Sequence, residues 1–224
     1  MNPFLAVALL SYFAGSIPFG FLIGKFFKGI DLRDHGSGNI GATNAGRVLG
    51  KKWGIVCLIL DALKGLLPVA FFPQCFFASD SPWLHHVTVL AGVMTIVGHM
   101  FPCWLGFRGG KGVATSLGVL TILSPWGVAV AAGLFFVTLA IARYVSLSSM
   151  LAALGYAGFE FWRLQPSPFS EATWSRAGFA VLVPMLIIIQ HRSNIRRLLG
   201  GEEPKLTAQR GANDQTTATK EPPN

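Results

Sequence analysis

Long uncharged stretches alternate with short basic ones along this chain, and that alternation predicts membrane-crossing helices. A helix needs about 20 mostly apolar residues to span a bilayer. Residues 4–24 hold no charge, residues 53–79 carry only Asp61 and Lys64, and residues 83–107 hold no Asp, Glu, Lys or Arg. Residues 112–142 form an uncharged run of 31, long for one crossing and short for two ordinary ones. Ser124-Pro125 divides it, because proline removes a backbone donor and clashes with the preceding turn. Two short helices are expected there, 113–123 and 126–142. Segments 144–161 and 175–191 bring the count to seven. The alternative has five, with 112–142 crossing once and 144–161 outside the membrane.

Charge sets the orientation. Lys25, Lys28, Arg33, Arg47, Lys51 and Lys52 follow the first span, Arg108 and Lys111 the third, Arg143 the fifth, and Arg192, Arg196 and Arg197 the last. Cytoplasmic loops are enriched in Lys and Arg. An outside N-terminus with seven crossings puts all of these inside and the C-terminus in the cytoplasm, leaving Arg163 and Arg176 as exceptions. The first 24 residues lack a basic leader and an A-x-A cleavage site, so they read as a retained helix.

Composition supports the membrane reading. Of 224 residues, 52% are hydrophobic and 12% charged, against roughly 25% charged in soluble domains. The mean hydropathy is +0.53. The net charge of +8 would suggest nucleic acid in a soluble protein. Here the cations flank apolar runs, so the expected surroundings are a lipid bilayer, with no nucleic acid. Cys57, Cys75 and Cys103 sit in apolar segments without metal or disulfide spacing. Residues 1–203 read as one membrane-embedded domain. The polar stretch 204–224 reads as a disordered cytoplasmic tail that buries too little apolar surface to offset ordering entropy.

Three polar constellations fall on the cytoplasmic side. The first runs Gly36-Ser37-Gly38-Asn39-Ile40-Gly41-Ala42-Thr43-Asn44-Ala45-Gly46-Arg47. Glycine and asparagine let the backbone turn with its N–H groups exposed, and such clusters bind anions. Ser37, Asn39, Thr43 and Asn44 add neutral hydrogen-bonding groups, and Arg47 a fork suited to phosphate. An ordinary flexible loop is the plainer reading. The second holds Gly98-His99-Met100-Phe101-Pro102 and Phe107-Arg108-Gly109-Gly110-Lys111-Gly112-Val113-Ala114-Thr115. Its glycines surround a lysine just before a helix, whose first turn offers free N–H groups. It is not a Walker A loop, since Gly112 stands where Ser or Thr must follow the lysine. The third runs from His191 and Arg192 through Asn194, Ile195, Arg196 and Arg197 to Glu203. If the last helix continues, His191, Asn194 and Leu198 share one face and Arg192 and Arg196 another.

Two smaller features have open readings. Asp61 and Lys64 lie three apart inside a span, as a structural ion pair or a functional one. Ser146, Ser148 and Ser149 either line a site or bond between helices.

In this order, the three constellations make the chain resemble the bacterial acyl-phosphate:glycerol-3-phosphate acyltransferases of the inner membrane. The motif S-G-N-x-G-A-T-N-x-x-R matches Ser37 to Arg47. G-H-x-F-P and F-x-G-G-K-G-V-A-T match Gly98–Pro102 and Phe107–Thr115, and H-R-x-N-I-x-R-L-x-x-G-x-E matches His191–Glu203. The resemblance implies transfer of an acyl group from acyl phosphate to the 1-hydroxyl of sn-glycerol 3-phosphate, with no cofactor and no metal. It also points to the enzyme that makes acyl phosphate as a partner. The H-x-x-x-x-D dyad of other acyltransferases does not occur: five after each His come Ile40, Leu90, Ala91, Trp104 and Arg196.

Ser37, Arg47, Lys111, His191 and Asn194 are the expected catalytic residues. Gly38, Asn39, Thr43, Asn44, His99, Arg108, Gly109, Gly110, Gly112, Thr115, Ser149 and Arg192 are expected to contact substrate. Gly109 to Gly112 would hold one phosphate, while Arg47, Ser37, His191 and Asn194 grip glycerol 3-phosphate. His191 is expected to anchor substrate as a neutral group kept so by Arg192 and Arg196, with the role of base as its alternative. An organic-phosphate transporter would share basic loops and spans, but would place its site near the midplane of paired halves, and no internal repeat is present.

Overall fold

The computed structural model describes residues 2–206, and these are helix, turn and loop throughout. The first apolar segment is not one straight helix. α1 (Pro3–Gly15) and α2 (Phe19–Lys28) part at Ser16–Pro18, where proline interrupts the ladder. The polar stretch after them contains a helix, α3 (Ala42–Leu49), followed by α4 (Lys51–Phe76) and α5 (Leu84–Met100). α6 (Val113–Leu123) and α7 (Pro125–Ala142) meet at Ser124, with Pro125 in the first position of α7. There a missing N–H costs nothing. α8 (Val145–Arg163) and α9 (Trp174–Gln190) complete the bundle. α10 (Arg192–Leu199) leaves α9 at 58° rather than continuing it.

Among the described residues, four segments are long and apolar enough to cross a membrane: Pro3–Lys28, Lys51–Phe76, Leu84–Leu105 and Pro125–Ala142. The bent α9–α10 pair makes five. Length and composition therefore do not reach the expected seven. α6 has 11 residues, about 17 Å at 1.5 Å per residue, against a hydrocarbon core of about 30 Å. α8 carries Glu160 and Arg163 and buries Ser146, Ser148 and Ser149. The straight crossing of 112–142 does not occur either. Its two ends return to the same end of the bundle, where Lys111, Asn194 and Glu203 link through hydrogen bonds to Ser146, one turn beyond α7.

Between apolar helices in lipid, association comes from close packing rather than from escape from water. α4 and α6 meet at Gly65 and Gly118. A Cβ on Gly118 would lie 1.9 Å from the Ala62 carbonyl oxygen, so only glycine permits that approach. Val7, Val87, Ile96, Val119, Phe179 and Val183 form the main core among α1, α5, α6 and α9. A smaller one (Ile23, Leu32, Ala45, Leu49 and Cys57) pins α2, α3 and their connecting loop to α4. α7 buries only Gly127 and exposes Trp126, Leu134, Phe136, Val137 and Ile141. So apolar and so exposed a helix belongs in a bilayer.

At the end away from Lys111, Glu160 of α8 is fully buried. It pairs with Arg176 of α9 and accepts from Ser124 Oγ at 2.8 Å. Arg163 reaches the same Ser124 Oγ at 3.5 Å. Arg176, one of the two exceptions to the charge pattern, is thereby neutralised. Only the first residues of the expected tail are described. They are tied down: the Leu206 N–H donates to the Arg143 carbonyl at 2.9 Å, and Lys205 lies 5.6 Å above the Tyr144 ring. The rest of the tail lies outside the described residues.

Candidate active site

The loop before α3 is folded around one side chain. Asn44 is 2% exposed; its Nδ2 faces the carbonyls of Leu32, His35 and Asn39 at 3.2, 3.0 and 2.8 Å, and its Oδ1 accepts from the Ser37 N–H at 2.9 Å. Asn44 shapes the loop and has no group left for substrate, contrary to the sequence expectation. Asn39 Oδ1 accepts from the Gly41 N–H at 2.8 Å, which keeps that turn closed. Ser37 and Gly38 are exposed on the same loop, and Thr43 is exposed in the first turn of α3. Among the described residues the Ser37 hydroxyl has no partner, while its backbone N–H is held.

The glycines of the second constellation serve packing first. The N–H groups of Gly109 and Gly110 donate to the carbonyls of Met100 and His99, both at 3.1 Å, so they do not point at an anion as expected. A Cβ on Gly110 would lie 2.1 Å from His99 Nε2, which is why no side chain fits there. His99 is 4% exposed and backs this loop rather than facing substrate. Behind it, Asp61 Oδ1 lies 2.8 Å from Lys64 Nζ and 3.7 Å from His99 Nδ1, and Lys64 donates to the Ile17 carbonyl at 2.7 Å. The intramembrane pair thus braces the α1–α2 break and the loop at once. Gly112 caps α6 in the left-handed conformation, φ +83. That leaves the first-turn amides of α6, from Val113 onward, as the group of this segment able to take an anion.

Lys111 and the third constellation meet. Lys111 Nζ donates to Asn194 Oδ1, and Asn194 Nδ2 donates to Glu203 Oε1 at 2.6 Å. Glu203 also accepts from Ser146 Oγ at 2.7 Å and from Arg197 Nε at 2.8 Å. Burial alone would raise the Glu203 carboxyl, but hydrogen bonds from Ser146, Asn194 and Arg197 hold it below its usual range. Burial pushes the Lys111 ammonium down to about 8; Glu203 opposes the fall, and Arg197 and Arg47 add to it. Arg47 is therefore within charge reach of Lys111, which joins the first constellation to the other two.

His191 sits just past the end of α9, 2% exposed, with Nδ1 2.8 Å from the Ile187 carbonyl. A carbonyl only accepts, so Nδ1 carries the proton and Nε2 is left as an acceptor. Burial lowers the imidazole to about 4, and the Lys111 charge adds to this. Burial and Lys111, rather than Arg192 and Arg196, cause this lowering. Those two, and Arg108, are exposed. Thr115 is buried with its hydroxyl unpartnered among the described residues.

Beside Lys111 an apolar cavity of about 280 Å³ opens between α6, α7, α8 and α9. Val113 and Ser149 lie at its near end. The hydroxyls of Ser149 and Ser148 bond back to the Val145 and Tyr144 carbonyls at 2.8 Å, within their own helix. Among the described residues, Ser146 alone of the three bonds outside its own helix, to Glu203. Glu203 and Arg197 are not among the expected site residues, and the sequence leaves Ser146 with two readings. The available signal was Gly200-Gly201 ahead of Glu203: Gly201 is left-handed, φ +71, and turns the chain back toward Asn194. Two cations, a neutral imidazole acceptor and an apolar cavity can together hold a phosphate, a hydroxyl and a hydrocarbon tail.

Residues 5–201 match the family model described as glycerol-3-phosphate acyltransferase. A protein of that name from Thermosynechococcus vestitus is 43% identical over 209 residues, covering 92% of this chain and 96% of its own. One from Geobacillus kaustophilus is 44% identical, covering 89% and 94%. The crystal structure of PlsY (YgiH), an integral membrane glycerol 3-phosphate acyltransferase, in its glycerol 3-phosphate form, superposes with a TM-score of 0.79. It is 39% identical and covers 90% of this chain and 94% of that one. Its lysophosphatidic acid form gives 0.77 at 38% identity, with the same coverage.

Proposed function

The chain belongs to the glycerol-3-phosphate acyltransferase family and is a multi-pass membrane acyltransferase, and on that premise we propose that its acyl donor is acyl phosphate. The hydroxyl oxygen of glycerol 3-phosphate attacks the acyl carbonyl carbon, and the carbon–oxygen bond to phosphate breaks. The hydroxyl proton leaves with the phosphate. The products are 1-acyl-glycerol 3-phosphate (lysophosphatidate) and inorganic phosphate.

The observation that carries this reading is the apolar cavity beginning at Val113, two residues from Lys111. A tail in the cavity puts its headgroup at the lysine and the first turn of α6. Arg47 and the Ser37 hydroxyl are disposed for the second phosphate. His191 Nε2 can accept from the glycerol hydroxyl and orient it without removing its proton. Positioning and charge stabilisation then supply the rate, which suits a donor already activated by phosphate.

We assign the site to the cytoplasmic side of the bacterial inner membrane, with seven crossings and the N-terminus outside. The α6–α7 break at Ser124 supports two crossings there, and the basic loops gather at the Lys111 end. Purified protein given palmitoyl phosphate and glycerol 3-phosphate should release phosphate one-for-one with lysophosphatidate. Phosphate release without lysophosphatidate, or no release, would remove the proposal.

A further inference from the structure

The apolar cavity has a direction and an end. On α6 its lining residues step away from the site from Val113 to Leu120, and on α8 from Ser149 to Tyr156. Seven residues make each wall about 10 Å deep at 1.5 Å per residue. The half near the site is open at its rim, where Leu117 and Phe136 are exposed. The far half is closed: Leu120, Ala153, Tyr156 and Val183 are buried.

Tyr156 seals that half. Its ring stands edge-on to Phe179, 6.2 Å between centroids. On its other side it presses on Gly127 of α7, where a Cβ would lie 2.9 Å from the ring. One turn further along α8 the interior becomes polar. There Glu160 is paired with Arg176 and accepts from Ser124. A hydrocarbon tail driven past Tyr156 would have to part a buried ion pair, and a buried charge left without its partner is costly.

We propose that Tyr156 is the floor of the tail site and sets the longest acyl chain that is taken up whole. This rests on the reading of the cavity as the donor's tail site. A shorter tail ends inside the closed half. A longer one overpacks the ring or leaves through the rim, which lifts its reactive end away from Lys111.

The test is a chain-length series from butanoyl to stearoyl phosphate, because walls about 10 Å deep hold only about eight extended methylenes, with the full chain in phosphatidylcholine vesicles and the donor expressed as a mole fraction of lipid. In the unaltered protein kcat/KM should stay level over the shorter tails. It should then fall by roughly tenfold or more once added methylenes meet the ring. Tyr156→Leu should move the fall to longer tails, Tyr156→Phe should leave it in place, and Ala153→Leu, which fills the closed half, should move it to shorter tails. A series with no fall, or folded Tyr156→Leu protein with the fall unmoved, overturns the assignment of Tyr156. If Ala153→Leu still shifts the fall, the cavity remains the tail site and only the floor is wrong. If neither variant changes the series, the tail is not in this cavity and the underlying reading fails as well.

Discussion

At the end of the bundle away from the site, the fully buried Glu160 is answered by its neighbours: Arg176 pairs with it and Ser124 donates to it. At the site end, Lys111 meets a neutral amide, Asn194, and reaches Glu203 only through it. Neither Lys111 nor Arg47 is in an ion pair among the described residues. Both ends bury polar groups in an apolar bundle, yet one is closed and the other is short of negative charge. A closed network holds helices together. An open one, with cations already stripped of much of their water, waits for an anion.

The sharpest way to break this contrast is to open the closed end. Glu160→Ala strands Arg176, and losing one partner of a buried pair costs about 3–5 kcal/mol. The expected result is a clear fall in thermal midpoint, with activity per folded molecule little changed. Next comes Lys111→Ala, which should leave the midpoint nearly unmoved and lower kcat/KM by roughly 10²–10³-fold, the usual effect of removing one preorganised charge-stabilising donor. A Lys111→Ala protein that keeps its activity would dissolve the distinction between the two ends.

Smaller effects refine it. His191→Ala should raise KM for glycerol 3-phosphate by about tenfold with kcat less affected, because the contact proposed for His191 is made before and during reaction alike. A loss confined to kcat would make His191 the base instead. The last test is pH. Lys111 must be charged to hold phosphate, and in the free protein it sits at about 8. Measured with subsaturating glycerol 3-phosphate, kcat/KM should fall by about tenfold per unit above that pH. A bound phosphate favours the ammonium, so kcat should hold to a higher pH. Lys111→Arg should remove the alkaline fall from whatever activity it retains.

Much of the helical plan was legible because its signals are local. Ser124-Pro125 divides 112–142 within a residue of where α6 and α7 part. The burial of His191 and Asn194 and the exposure of Arg192 and Arg196 follow helical spacing. What stayed hidden depends on contacts distant in sequence. The bend at His191 is settled by packing, whereas the break at Ser16–Pro18 had a local signal in Pro18 that the long uncharged run concealed. Nothing in a glycine-rich string tells that Gly109 and Gly110 spend their amides on the end of α5, or that Asn44 faces inward while Ser37 faces out. Equally, Glu160 looks like an isolated acid until α9 brings Arg176 beside it.

The return of the chain at Gly200-Gly201 places Glu203 under Asn194 and Ser146, and this bears on how the protein is made. Glu203 is translated after every helix it joins. A chain still on the ribosome, or clipped just short of that residue, can be fully inserted and yet lack the clasp that aligns its lysine and amide. The clasp can therefore close only after the chain has been made through Glu203.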